Sequence, residues 1–529
     1  MSMQLTLSAL LERHVAERPN QIAFIEGERQ VSFAEFDRLC NRAATWLAAQ
    51  GIGPGDRVAV WLTNRVEWMA LLFALGRIGA VMMSVNTRFR AAELEHVLVR
   101  SAAKLLVIQL NFRKIEFDAV LREVDCTTVP ALERIAVLDG GADLPAAILG
   151  MPTVALSLTG DSPAAQAAPP DRSSPDALAI LFTTSGTTKG PKLVMHAQRA
   201  ITLHAQRVGH AYGFDAPGAG TLGGLPFCGT FGLVAALATF AAGSPLVIMD
   251  AFDARRASEL IRMHRLTHVF GTDEMLRRLL EASPEPGPFP SARLFGFVHA
   301  RELAQEACAR GLPIVGLYGS SEVQALFSRQ PLDLPFDERV LGGGKPASPD
   351  VEVRVRDVSS GELLPPGASG ELEIRAPTNF IGYLDNPEAT AKVIDSEGFF
   401  RTGDVGRLRD DGSFVFETRT GDAVRLGGFL ISPVEIEEVI RQVPGVADAQ
   451  VVAVEIENKL RCVAFVLGRV DAAVTDSEVM AWVKTRMADY KVPARVWFVD
   501  AYPVTHSANG NKIQRAKLRE MATQWLTEA

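Results

Sequence analysis

Short apolar runs alternate with amphipathic helical stretches along most of this chain, and that alternation restricts the fold more than any other feature. A helix between two strands returns the chain to the same end of the sheet, so successive strands lie parallel. Ile22 to Ile25 reads as a strand. Ser32 and Glu35 then form a capping box, apolar residues recur at helical spacing up to Leu47, and Gly51 lies just beyond as a stop. Val58 to Leu62 predicts a strand, Glu67 to Leu75 a helix, and Ala80 to Val85 a further strand. Residues 158 to 175, rich in Pro, Ser, Ala and Gly, predict a loop, and Leu178 to Phe182 a buried strand. The expected class is α/β, with parallel sheets covered by helices.

The far end reads differently. Ser432, Pro433 and Glu435 open a helix, Gln450 to Val454 and Arg461 to Val466 predict strands, and Thr475 with Glu478 caps another helix. That pattern is α+β. The expected organisation is a large N-terminal domain of α/β subdomains over 1–418, a hinge at 419–422 and a small C-terminal α+β domain over 423–529. A length of 529 residues supports several domain-sized units, at about 150 residues each.

Composition excludes several classes. Lys plus Arg number 54 and Asp plus Glu 62, a formal net charge of −8, which disfavours general nucleic-acid binding. The five cysteines, Cys40, Cys126, Cys228, Cys308 and Cys462, include no CxxC pair and predict buried thiols in a reducing compartment. Met1 to Leu11 lacks a basic stretch before an apolar core, so no signal peptide is expected. The apolar run Phe231 to Met249 is broken by Gly243, Ser244 and Pro245, and Leu71 to Met83 by Arg77, so neither supplies the roughly 20 clean residues of a membrane span. A soluble, cytoplasmic protein is expected. His264 and His268 stand four apart without a Cys or acid to complete a metal site, and read as surface or core histidines.

The chemistry concentrates after the buried strand at Leu178 to Phe182. Thr184 to Lys192 holds four hydroxyls (Thr184, Ser185, Thr187, Thr188), two glycines (Gly186, Gly190) and two lysines (Lys189, Lys192). Small residues let backbone N–H groups approach an anion, hydroxyls add donors and lysine adds charge. A surface loop of the same composition would not need a buried strand leading into it, nor lysines within it. The expected ligand is a polyphosphate. It is not a Walker A loop, because counting from Gly186 puts Pro191 and Lys192 where that motif requires Gly and Lys.

The loop resembles the phosphate loop of the adenylate-forming superfamily, which includes acyl- and aryl-CoA synthetases, peptide-synthetase adenylation domains and firefly luciferase. It departs from the family pattern at Lys189 and Leu193, where Gly is usual. Further matches follow in family order: Tyr318-Gly319-Ser320-Ser321-Glu322, Phe400-Arg401-Thr402-Gly403-Asp404, Arg419, and Gly510-Asn511-Lys512-Ile513-Gln514-Arg515 with Asn511 inserted. Gly370 to Leu372, Gly382-Tyr383, Ile431 to Glu437 and Tyr490 to Pro493 agree as well. Alone, each of these would be a turn or an exposed side chain; together they span the chain.

The resemblance implies an active site in a cleft beneath a mobile C-terminal lid. A carboxylic acid would attack Mg·ATP to give an acyl-adenylate and pyrophosphate, and coenzyme A would then take the acyl group and release AMP. Thr184, Ser185, Gly186, Thr187, Thr188 and Lys192 would hold phosphates. Glu322 would hold Mg²⁺. Tyr318, Gly319, Ser320, Ser321, Asp404 and Arg419 would contact the nucleoside. Lys512 would bridge carboxylate and α-phosphate, and Gly421 with Asp422 would form the hinge. Phe227, Gly229 and Phe231 would line the acid pocket, with Gly229 where relatives often carry His. No acid lies between Asp215 and Asp250, which argues against an amino-acid substrate. An acyl carrier protein as acceptor, an enzyme that stops at the adenylate, and a luciferase-type oxygenase are the alternatives; a non-enzymatic binding protein is disfavoured by the intact Glu322, Asp404, Arg419 and Lys512.

Overall fold

The computed structural model describes residues 5–528 except 111, 113–114, 116, 141–143, 159–168, 185–190, 298–300, 421–423, 427–428, 432, 457–458, 470–473, 488–490 and 508–509. The chain divides into two compact units, one of residues 1–351 with 375–394 and one of residues 352–374 with 395–529. Arg419 lies within the second unit, and the expected hinge residues Gly421 and Asp422 are outside the described residues.

The first unit is built on two sheets. One has the strand order Gly382–Tyr383, Leu193–Ala197, Leu178–Thr183, Val81–Ser84, Arg57–Trp61, Leu105–Ile108, Arg134–Leu138, Met151–Leu156, Ala147–Ile148. Its middle strands pair parallel, as the alternating pattern requires. The other runs Gly343–Pro346, Gln324–Arg329, Ile314–Ser320, Leu294–Phe297, His268–Phe270, Thr221–Gly223, Leu246–Ile248, Ile22–Glu26, Arg29–Ser32. Its centre is also parallel. The edges are antiparallel, which strand–helix alternation does not reveal: Arg29–Ser32 turns straight back on Ile22–Glu26, and Gln324–Arg329 on Ile314–Ser320.

Helices fill the space between the sheets. Val66–Arg77 and Gln198–Ala211 touch the first sheet, Phe33–Ala49 and Thr230–Ala242 the second, and the helices pack on one another. The Phe33–Ala49 helix starts at the expected capping box: Ser32 N–H donates to Glu35 at 2.8 Å, and Glu35 N–H donates to the Ser32 hydroxyl at 3.3 Å. Val66 to Gly76 are all buried, including Glu67, whose carboxylate is matched by Arg29 at 2.6 Å and Arg65 at 2.9 Å. An unpaired carboxylate there would carry a prohibitive desolvation cost. Phe240 sits at the centre of this layer. Its ring lies 5.0 Å from Phe73, 5.2 Å from Phe33, 5.4 Å from Phe36, 5.8 Å from Phe24 and 5.3 Å from the ring of His14.

The second unit contains a meander of Glu352–Arg356, Gly370–Arg375, Phe400–Leu408 and Phe414–Arg419. Beyond it lies the expected α+β element, a sheet of Val446–Ile456, Lys459–Gly468 and Val496–Phe498. Period-two alternation splits its core. Val451, Ala453, Cys462 and Ala464 pack beneath Pro433–Arg441 and Asp476–Lys484. Val452, Val454, Val463 and Phe465 face the C-terminal helix Arg515–Glu528 through Leu518 and Ala522. The predicted capping box at Thr475 and Glu478 is present; Ser432 lies outside the described residues.

Among the described residues no helix is long and apolar enough to cross a membrane. Cys40, Cys228 and Cys462 are buried as expected, but Cys126 is exposed because it sits in a short surface 3₁₀ turn, and Cys308 is half-buried.

Phe240→Ala removes the one ring common to this aromatic layer. Unfolding in urea should show a loss of about 3–5 kcal/mol from the first unit, against well under half of that for Phe240→Leu.

Candidate nucleotide and acid site

The phosphate-loop segment is the connection of a hairpin. Leu178–Thr183 runs parallel to Val81–Ser84, then Leu193–Ala197 returns antiparallel with Leu193 opposite Thr183. Thr184 N–H donates to the Lys192 carbonyl at 3.0 Å, and Lys192 N–H to the Thr184 hydroxyl at 3.3 Å. The two ends of the loop are thus clamped together at the carboxyl end of a parallel strand, the side on which open α/β sheets bind ligands. Ser185, Gly186, Thr187, Thr188 and Lys189 lie outside the described residues. Leu193, which departs from the Gly of the resembled motif, is 3% exposed and belongs to the core with Met83, Leu106 and Leu181. Its departure from the family pattern is therefore a packing choice.

The segment Tyr318 to Glu322 ends a second parallel strand, Ile314–Ser320, and turns into Gln324–Arg329. Gly319 is required by close approach: a Cβ there would sit 2.6 Å from the Ala325 Cα and 2.6 Å from the Gln324 carbonyl oxygen. Tyr318 is 7% exposed, edge-on to Phe327 at 6.2 Å. The Ser320 hydroxyl accepts from the N–H groups of Glu322 at 3.1 Å and Val323 at 3.3 Å, which holds the turn.

Three residues fix this turn that sequence reasoning did not single out for it. Gln324 holds φ at +68°, a conformation costly for a residue with a Cβ, and its amide pays the strain back by donating to the carbonyls of Ala200 at 3.0 Å and Thr378 at 2.8 Å. His196, on the returning hairpin strand, donates Nε2–H to the Ser321 carbonyl at 2.7 Å. Burial pushes its pKa down from 6.5 to about 4, so the ring stays neutral and the tautomer is fixed by the carbonyl. Tyr383 donates its hydroxyl to Glu322 Oε1 at 2.9 Å, and Lys192 Nζ stands 4.5 Å from the centre of the Tyr383 ring. Glu322 and Lys192, the expected metal carboxylate and phosphate cation, are therefore joined through one side chain. The only sequence signal for Tyr383 was its place in a Gly-Tyr stretch shared with the family.

Glu322 is a half-buried carboxylate, linked through Tyr383 to Lys192 at the end of the phosphate hairpin. That donor set fits Mg²⁺, which takes one or two carboxylates and completes its shell with phosphate oxygens and water.

Of the proposed acid-pocket residues, Phe227 is 1% exposed, edge-on to Trp68 at 5.9 Å, with its N–H given to Asn64 Oδ1 at 2.7 Å. Phe231 is half-buried, 6.3 Å from the Phe270 ring. Gly229 is the N-cap of Thr230–Ala242 with φ −101°, a conformation open to any residue. His268 proves to be a core histidine stacked on Phe214 at 4.5 Å, while His264 is half-exposed.

In the second unit Asp404 and Arg419 are direct cross-strand partners, with Arg419 Nη1 3.0 Å from Asp404 Oδ1. Asp404 is 2% exposed. Gly403 precedes it at φ +70°, and the Thr402 hydroxyl ties the bend to the Leu372 carbonyl at 2.7 Å. Lys512 lies on Gly510–Ile513, opposite Thr505 in the hairpin with Val504–Ser507. The end of this hairpin is anchored by Arg515, which reaches Glu437 at 2.8 Å and donates to the Val451 carbonyl at 3.0 Å. Burial pushes the Glu437 carboxyl pKa up, against the opposing pull of Arg515 and Arg441.

A sequence model described as AMP-binding enzyme matches residues 11–384, and one described as AMP-binding enzyme C-terminal domain matches residues 435–509. The chain belongs to the AMP-binding enzyme family. It is 30% identical over 525 residues to a 3-[(3aS,4S,7aS)-7a-methyl-1,5-dioxo-octahydro-1H-inden-4-yl]propanoyl:CoA ligase of Rhodococcus jostii, covering 97% of this chain and 98% of that one. It is 30% identical over 513 residues to a feruloyl-CoA synthase of an Amycolatopsis species, covering 96% and 97%. Among solved structures, ATP-bound MatB from Rhodopseudomonas palustris superposes with a TM-score of 0.82 at 27% identity, covering 98% of this chain and 99% of that one. The relatives it matches over nearly its whole length are CoA ligases, and the reaction class is ATP-dependent acid–CoA ligation with release of AMP, using Mg²⁺.

His196 supplies a pH test of the turn that carries Glu322. Its native pKa lies below the unfolded value, so the native state resists protonation and stability falls as pH drops from 6.5 toward 4. Gln at this position keeps an N–H donor but has no titration. The unfolding free energy of His196→Gln should fall less steeply over that window, by about 1.4 kcal/mol per pH unit.

Proposed function

We propose that this chain is an acid–CoA ligase for apolar monocarboxylic acids, with aryl acids the first to test. One observation carries the adenylation reading: the hairpin whose connection is rich in hydroxyl, glycine and lysine residues is tied to the Glu322 carboxylate through Tyr383. That combination suits a metal-bound polyphosphate. The preference for an apolar acid rests on residues 216–249, which contain no Asp, Glu, Lys, Arg or His. A stretch without charged side chains has no cation for a second carboxylate and no anion for an ammonium group. The relatives that act on feruloyl and hydroxybenzoate acids support the same preference.

In the first half-reaction an acid oxygen attacks the α-phosphorus of ATP, and the bond from that phosphorus to the bridging oxygen breaks to release pyrophosphate. Two anions must be brought together, so a cation has to stand between them. Lys512 has that role. Thr184, Ser185, Gly186, Thr187, Thr188 and Lys192 hold the β- and γ-phosphates, with Glu322 on the metal. Mg²⁺, when bound, neutralises charge that develops on the phosphate oxygens. Tyr318 to Ser321 contact the base and sugar side, and Asp404 with Arg419 holds the ribose. The ion pair between Arg419 and Asp404 presents an ionised acceptor to the two hydroxyls. In the second half-reaction the thiol sulfur attacks the acyl carbon, its proton passes to solvent, and AMP leaves with the former phosphate–acyl oxygen. Lys512 has no task in that half. Gly421 and Asp422 are assigned the hinge that exchanges one lid face for the other, and the 419–422 boundary goes with that assignment.

The reading is tested by product analysis across short aliphatic, long aliphatic, aryl and dicarboxylic acids, with coenzyme A or an acyl carrier protein as acceptor. Aryl-CoA and AMP in equal amounts are expected. A preference for dicarboxylic acids, or transfer to carrier protein alone, would contradict it.

Lys512→Ala should lose adenylation by about 10²–10³-fold or more, while keeping most of its thioester formation from synthetic acyl-adenylate and coenzyme A. Equal loss in both halves would mean damage to the hairpin. Lys512→Arg should also be poor, because a planar fork does not replace a compact ammonium.

Gly229→His introduces a ring without backbone strain. Discrimination against the bulkier acids should rise by about 10–200-fold relative to small ones in kcat/KM. An effect uniform across acid sizes would place residue 229 away from the substrate.

A further inference from the structure

Tyr383 stands at the junction of both phosphate-handling elements. It is 5% exposed and belongs to a two-residue strand, Gly382–Tyr383, that pairs antiparallel with the returning strand of the phosphate hairpin, Tyr383 opposite Val194. The hydrogen bonds of its neighbours continue the zipper: Ile381 N–H to the Met195 carbonyl and Leu384 N–H to the Leu193 carbonyl, both 2.9 Å. Its own N–H goes to the Thr390 hydroxyl at 2.9 Å. On the other side Phe380 N–H donates to the Glu322 carbonyl at 2.8 Å, and the Phe380 and Tyr383 rings lie 5.1 Å apart. The backbone is thus held at both ends, and the side chain has little freedom.

We propose that Tyr383 is a positioning residue with two separable functions: its hydroxyl orients the Glu322 carboxylate for Mg²⁺, and its ring holds the Lys192 ammonium ready for the nucleotide phosphates. The inference rests on the roles proposed above for Glu322 and Lys192. The hydroxyl is a neutral donor, so it fixes a carboxylate rotamer without consuming its charge. It engages Oε1, and Glu322 would still carry the negative charge to hold Mg²⁺. A cation over a ring face is attracted by the quadrupole while its N–H groups stay available to an anion. Lysine is otherwise a flexible stem, and ordering it before the nucleotide arrives spares that entropy at binding.

Equilibrium binding of ATP, measured with and without Mg²⁺ on the full chain, separates the two functions. Tyr383→Phe keeps the ring and loses the hydroxyl. It should lower the Mg²⁺-dependent gain in ATP affinity about tenfold and leave metal-free ATP binding unchanged. Tyr383→Leu loses both, and should in addition weaken metal-free ATP binding about threefold, an effect absent in a Lys192→Met background. Glu322→Gln tests the underlying reading, since it should abolish the Mg²⁺-dependent gain. If Glu322→Gln behaves in that way and Tyr383→Phe does not, the role of Tyr383 is overturned alone. If Glu322→Gln leaves the gain intact, the metal role of Glu322 falls and that of Tyr383 with it. Equal losses with and without Mg²⁺ in Tyr383→Phe would mark a general packing effect and overturn the proposal too. For Tyr383→Phe and Glu322→Gln the metal-free measurement serves as the control for folding.

Discussion

The antiparallel return of Leu193–Ala197 on Leu178–Thr183 is the pairing on which the site in the first unit depends. The strands on either side define the two ends of the phosphate loop, which Thr184 and Lys192 clamp together. One of them is locked into the parallel core beside Val81–Ser84, and the other carries Leu193 into that core and His196 to the Ser321 carbonyl. The same return strand offers its outer edge to Gly382–Tyr383. A single hairpin therefore sets the two ends of the phosphate loop, one contact to the turn that carries Glu322, and the seat of the residue that joins Lys192 to Glu322. Loss of its register by one residue would exchange the faces of Leu193 and His196 and undo all three.

Burial is what makes these polar contacts specific. His196 and His204 are enclosed, both held neutral by desolvation at about 4, and each donates to a main-chain carbonyl of the segment 321–325. A neutral donor that finds no partner in such surroundings is costly, so the turn is held in one arrangement more firmly than its own sequence would hold it. In the second unit the ion pair of Glu437 with Arg515 does comparable work, fixing the end of the hairpin on which Lys512 lies.

Local signals made much of the fold legible. Capping boxes at Ser32 and Thr475 read correctly because both partners lie three residues apart, within one helical turn. Buried parallel strands read correctly because they are apolar on both faces. The antiparallel edges were hidden, since nothing in the local pattern of Leu193–Ala197 or Gln324–Arg329 carries a direction and only their pairing shows it. The motif residues Thr184, Lys192, Glu322 and Asp404 were legible as a family pattern. Their supports were not: His196 meets Ser321 across 125 positions, Gln324 meets Thr378 across 54, and Tyr383 meets Glu322 across 61. No local spacing encodes such contacts. Leu193 shows the converse, a departure from the motif whose role is packing in the core.

Activation of a carboxylic acid at the α-phosphate, before any thiol is needed, is the central claim, and isotope exchange tests it most directly. Labelled pyrophosphate should enter ATP when Mg²⁺ and an apolar acid are present and coenzyme A is absent, because the adenylate forms reversibly from those components alone. Exchange that requires coenzyme A, or release of orthophosphate with ADP in place of exchange, would contradict it.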